Sequence, residues 1–226
     1  MRATQCGVDT LLPKKALAAL RLCRFDRGEV FCREGDDFAS LYFVLEGRYK
    51  VTRLTESGRE CLLRFFDAFS IIGELELFEG GPARTTVTAV TPVTALRLPL
   101  SYLRAELLDD ARFLRFLCAY FTYKMVQRDQ NLVISLTANV AQRTASYVLS
   151  AAQNGHFADN YTHLAEFLGC SHRQLLRALA CLCADGVLAR EPGGYRVLDA
   201  AALRARSAGV YSGGPFCYPG LSPLRC

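Results

Sequence analysis

At 226 residues, with 51% apolar and 22% charged side chains, the chain can hold one large domain or two small ones with a buried core, and bulk disorder is excluded. A net charge of +5 suits a polyanionic partner without identifying one. No run reaches the roughly 18 uninterrupted apolar residues of a membrane helix, and Met1 to Gly7 lacks the apolar stretch of a signal peptide. The expectation is a cytoplasmic protein with no membrane partner. Ten cysteines are scattered along the chain without a C-x-x-C, and in a reducing compartment they would remain thiols or bind metal.

Residues 9–22 carry Leu and Ala at helical spacing behind Asp9 or Thr10 as cap, which predicts a short helix. From Arg24 to Leu100 the texture turns to short β-prone runs: Val30–Cys32, Leu41–Leu45, Tyr49–Leu54, Cys61–Phe66, Thr85–Val90 and Thr94–Leu98. Gly-centred turns separate several of them, including Glu34-Gly35-Asp36, Glu46-Gly47 and Glu79-Gly80-Gly81. No crossover helix interrupts the runs, so a sandwich or barrel is expected rather than a parallel sheet. Over 101–136, Leu103, Leu107, Leu114, Leu117, Phe121, Met125, Leu132 and Leu136 recur at threes and fours. Ala111 to Leu136 contains no Gly or Pro and would make a helix about 39 Å long, whose apolar groups suit packing on its own domain or a dimer seam.

A further helix is expected over Asn139–Gln153, ended by Asn154-Gly155, followed by helices over Tyr161–Leu168 and Ser171–Cys183 with a turn at Gly169. Val187–Arg190 and Tyr195–Leu198 flank Glu191-Pro192-Gly193-Gly194 in a hairpin pattern. Residues 206–226, rich in Gly, Pro and Ser, read as a loosely packed tail. In the helix pair, Ala165 is small where helices approach, Gly169 suits a positive φ, and Ser171 is placed to cap the second helix. Leu164, Leu168, Leu175 and Leu179 would form its core, leaving Arg173, Gln174 and Arg177 mostly on the exposed face; with the capping Ser171 and the adjacent His172 at the helix start they are the candidate DNA-binding residues. Such a helix fits the major groove, where Arg pairs with guanine and Gln with adenine, and the hairpin would lie on the backbone as a wing. An ordinary αα-hairpin with surface arginines is the plainer alternative.

Gly169-Cys170-Ser171-x-x-x-Leu175-x-Arg177-x-Leu179-x-x-Leu182 resembles the recognition helix of the CRP/FNR superfamily of transcription regulators. Gly28-Glu29-Val30, Leu41-Tyr42-Phe43-Val44-Leu45-Glu46-Gly47, Gly58-Arg59-Glu60 and Ile72-Gly73-Glu74-Leu75 resemble that family's double-stranded β-roll, in order over about 24–198, and the 70–136 region looks most like the YeiL-type branch. The resemblance implies an α+β fold: a cyclic-nucleotide-binding-like β-roll at 1–108, a long dimerisation helix at 109–137, a winged helix-turn-helix domain at 138–205, and the tail. It also implies a homodimer on near-palindromic double-stranded DNA, with RNA polymerase as a further partner and His172, Arg173 and Arg177 where the family reads bases.

The same resemblance places effector contacts at Gly73, Glu74, Leu75, Arg84 and Thr85, with Glu74 on a ribose hydroxyl and Arg84 on a cyclic phosphate. The strand after Arg84 is one residue short, so aligning on the strand would put Ala83 at the phosphate position instead; either the loop absorbs the difference or the site is lost. An iron–sulfur cluster is the other family option, but Cys6 stands alone near the start, and whether Cys23, Cys32, Cys61 and Cys118 converge is not legible. Neither cofactor is favoured. The histidines lie outside the β-rich region, which disfavours haem and a metal-dependent cupin enzyme, and no catalytic or metal-binding constellation is expected. A cyclic-nucleotide-binding regulatory protein without a DNA role remains the alternative, though it leaves the arginine face unexplained.

Overall fold

The computed structural model describes residues 7–56, 58, 60–66, 69–101, 103–207, 216, 218 and 219. Arg59, Cys6, Cys217, Cys226 and most of the expected tail lie outside the described residues. The chain forms two compact units. One gathers the described residues of Met1–Val51, Phe66–Val126 and Gly214–Cys226; the other gathers those of Thr52–Phe65 and Gln127–Gly213.

In the first unit, helix α1 (Lys14–Ala19) leads directly into strand β1 (Arg21–Phe25). The helix expected over 9–22 is therefore cut short. A 3-10 turn at Val8–Thr10 and Pro13 break its front. At its back, Arg21 to Phe25 pair antiparallel with β8 (Val93–Pro99). A non-local ladder outweighs the local helical spacing there. β2 (Val30–Cys32), β3 (Ser40–Glu46), β4 (Tyr49–Leu54) and β7 (Thr86–Ala89) fall on the expected runs, as does β5 (Glu60–Phe66), which up to Phe65 belongs to the second unit, and β6 (Ser70–Ile72) lies on no expected run.

The strands form two four-stranded sheets in the orders β1-β8-β3-β6 and β2-β7-β4-β5. β3 explains the layering. Leu41, Phe43 and Leu45 enter a core shared with helices, while Tyr42 and Val44 enter a second core with Phe31, Tyr49, Val87 and Val93. The strand is buried on both faces, so it reads as an unbroken apolar run rather than an alternating one.

The helical layer follows. Asp110 ends α3 (Arg104–Asp109) and accepts the N–H groups of Arg112 and Phe113 through its carboxylate, starting the long helix α4 (Ala111–Thr137). Phe113, Phe116, Leu117 and Tyr120 of α4 are fully buried, worth about 1.5–3 kcal/mol each. The Tyr120 hydroxyl accepts from the Ile71 N–H at 2.9 Å, which seats α4 on β6. Phe216 also enters this core, 5% exposed, against Phe116, Tyr120 and Tyr123. The tail expected to be loosely packed is anchored at that point.

The second unit contains α5 (Val140–Ala151), α6 (Tyr161–Phe167), α7 (His172–Ala184) and α8 (Ala200–Arg206), with a three-stranded sheet in the order β10-β11-β9. Its strands are β9 (His156–Phe157), β10 (Leu188–Glu191) and β11 (Gly194–Val197). Asn139 caps α5 through a capping box with Gln142.

Candidate nucleic-acid interface and effector site

In the second unit, the helix pair is built from its caps. The Asn160 side chain accepts from the N–H groups of Thr162 and His163, starting α6. Gly169 ends it at φ 61, and the Cys170 N–H returns to the Ala165 carbonyl at 3.0 Å. Ser171 then starts α7: its hydroxyl accepts from the Gln174 N–H, while the Gln174 side-chain oxygen accepts from the Ser171 N–H at 2.9 Å. Two helix-end donors are thereby satisfied reciprocally.

The buried face of the pair is the expected one. Leu164, Leu168, Leu175 and Leu179 are at most 2% exposed, and Ala165 is buried between them. The opposite face carries Ser171, His172, Arg173, Gln174 and Arg177, all exposed. Neither Arg173 nor Arg177 makes an ion pair among the described residues, so both guanidinium groups present their donors outward. Gln174 contributes less freely, its oxygen being held by the cap. Cys181 is exposed although Leu182 next to it is buried; one position along a helix is enough to change face.

The β10–β11 hairpin turns at Gly193, φ 83. Gly194 lies so close to β9 that a Cβ there would sit 2.2 Å from the Phe157 carbonyl oxygen. Arg190 and Arg196 are exposed on this hairpin, with Arg196 paired to Glu191.

In the first unit, Gly73 (φ 95) has no room for a side chain, since a Cβ would meet the Ser40 carbonyl oxygen at 2.3 Å. It opens α2 (Glu74–Glu79), which buries Glu74 and Glu76 and leaves Leu75, Phe78 and Glu79 exposed. Glu74 pairs with Lys124 of α4. Glu76 accepts the Arg84 backbone N–H at 3.1 Å. The Arg84 guanidinium pairs with Glu79 at the surface. The expected effector residues are thus close along the chain, but Arg84 is directed to Glu79 and not to Glu74.

Thr85 is half-buried, and its carbonyl accepts from the Cys32 thiol. Burial first, then the charges of Glu76, Glu74 and Asp36, push the Cys32 thiol up to about 12. The surroundings are therefore acidic in balance. Lys124 is the residue that sequence reasoning missed; its partner lies 50 residues away, and no local signal marks it.

For iron–sulfur chemistry, three or more ligands must converge. Among the described residues, no group of three or more His, Cys, Asp or Glu does so, and Cys23, Cys32, Cys61, Cys118, Cys170, Cys181 and Cys183 are all free thiols. Among the described residues, no helix is long and apolar enough to cross a membrane.

Residues 22–110 match the family model of the cyclic nucleotide-binding domain. The regulatory protein YeiL of Escherichia coli O157:H7 is 32% identical over 184 residues, covering 80% of this chain and 82% of that protein. A CRP-like cAMP-activated global transcriptional regulator of Mycobacterium tuberculosis is 26% identical over 217 residues, covering 90% and 97%. The crystal structure of a CRP-family transcriptional regulator from Thermus thermophilus superposes with a TM-score of 0.66 at 22% identity, covering 85% of this chain and all of that one. These relatives are regulators rather than enzymes.

Proposed function

The chain belongs to the CRP/FNR family of transcription regulators, and from that premise we propose that it is a homodimeric, sequence-specific DNA-binding protein whose α7 enters the major groove. The observation that carries this reading is the capped helix α7, with leucines buried on one face and His172, Arg173 and Arg177 exposed on the other. In this pose those three residues read base edges, and Ser171 and Gln174, at the helix start, contact phosphates. The β10–β11 hairpin is the wing of a winged helix-turn-helix, with Arg190 and Arg196 toward the DNA backbone.

The functional division that goes with it is a β-roll sensor at 1–108, a dimerisation helix at 109–137 and a DNA-binding domain at 138–205. Gly73, Glu74, Leu75, Arg84 and Thr85 mark the sensor's effector region, through which a small molecule or redox signal acts. Cytoplasmic residence and RNA polymerase as a partner belong to the same reading. Two recognition helices related by a two-fold axis require half-sites about one DNA turn apart.

Selection from randomised duplex DNA should return a near-palindromic operator. On that operator Arg177→Ala should cost about 1–3 kcal/mol in a gel-shift titration with the fold intact by circular dichroism. A pool that never converges, or full affinity in the variant, would count against the assignment.

A further inference from the structure

The family model over residues 22–110 implies a cyclic nucleotide as guest. Such a guest needs cationic and N–H donors for its phosphate and acceptors for its ribose. The residues present do not fit it. Ala83, at the position where strand alignment puts the phosphate partner, is buried and offers a methyl group. Its N–H and carbonyl are already bonded, to the Asp36 carbonyl and the Gly35 N–H, each at 2.9 Å. The loop does not turn Arg84 inward to compensate: its guanidinium is held by Glu79 at the surface.

Three nearby groups are engaged as well. The Arg84 N–H, a group suited to an anion, is bonded to the buried Glu76 carboxylate. Glu74, the residue expected on the ribose, is 3% exposed and holds the Lys124 ammonium. Lys124 also lies 5.5 Å from the centre of the Tyr120 ring. Thus Glu74, Glu76 and Glu79 of one short helix bind Lys124, the Arg84 N–H and the Arg84 guanidinium respectively. A phosphate brought here would meet two buried carboxylates and displace three internal contacts.

We infer that this cradle is filled from within: the glutamates of α2 take up the donors a cyclic phosphate would need, and Lys124 stands at Glu74 in place of a ligand, so the site selects against cyclic nucleotides and pins α4 to the β-roll through its own ion pair. The inference rests on the β-roll being the sensor, but its test needs no DNA and so fails separately from the regulator reading. Calorimetric titration of the full-length protein with cyclic AMP and with cyclic GMP should give no saturable heat up to about 1 mM. Saturable binding of either nucleotide below that concentration would overturn it.

The internal occupant is tested by a double-mutant cycle in thermal melting. Lys124→Met should lower the midpoint in the native background, where it strands Glu74, and much less in a Glu74→Gln background. Equal losses in both backgrounds would show that Lys124 does not serve Glu74 and would remove the occupant. If Lys124→Met fails to fold, the nucleotide titration of the native chain still decides whether the site accepts that guest.

Discussion

A carboxylate five residues from a guanidinium can change what a site does. The family resemblance assigns Arg84 to a phosphate and Glu74 to a ribose, yet Arg84 is taken by Glu79 and Glu74 by Lys124. Neither the helix α2 nor the choice among its three glutamates is legible in the sequence, the choice because it depends on a lysine 50 residues downstream. Cys32 lies in the same acidic setting. Burial is the largest cause of its raised value, followed by Glu76, Glu74 and Asp36, and at about 12 almost no thiolate exists near neutrality. Cys61, Cys118 and Cys181 are exposed. Timed alkylation at pH 8 with mass-spectrometric readout should therefore label those three while Cys32 stays unmodified until the chain is denatured. Labelling of Cys32 at the rate of Cys118 would mean that the β-roll opens or that its surroundings are not acidic.

At the level of elements, the parts fixed by local chemistry were readable. Ser171, Gly169 and the Leu175 and Leu179 pair set α7 in sequence as they do in structure, since caps and turns involve neighbours within a few residues. What failed to show was non-local. Arg21 and Leu22 look helical until β8 pairs with them. Phe216 lies in a Gly- and Pro-rich stretch that predicts looseness, yet it fills a gap among Phe116, Tyr120 and Tyr123, with Tyr218 stacked beside it. An aromatic ring 5% exposed in such a cluster carries real stability. Phe216→Ala should destabilise the first unit by about 3 kcal/mol, the low end for a buried phenylalanine because a tail can partly withdraw. The chain has no tryptophan, so urea unfolding is followed by tyrosine fluorescence. An unchanged midpoint would mean that the tail contributes no binding energy to the unit.

For the whole molecule, the open question is what covers the far half of α4. Met125, Leu132 and Leu136 are 66%, 57% and 78% exposed on the single chain, at steps of seven and four residues, the spacing of a seam between two helices. Burying about 1.5–3 kcal/mol of side chain at each of these positions on both helices yields roughly 9–18 kcal/mol before costs. Association itself costs about 4–15 kcal/mol, so the surplus is small and rests on these few residues. Replacing Leu132 and Leu136 together by Glu removes most of it and places like charges across the seam. Light scattering at micromolar concentration should then give twice the chain mass for the native protein and the single-chain mass for Leu132→Glu/Leu136→Glu. Operator affinity should fall with it, because one half-site alone offers half the phosphate and base contacts. A native protein that is monomeric, or a variant that keeps the dimer mass, would remove α4 as the seam and leave the paired recognition helices without the element that spaces them.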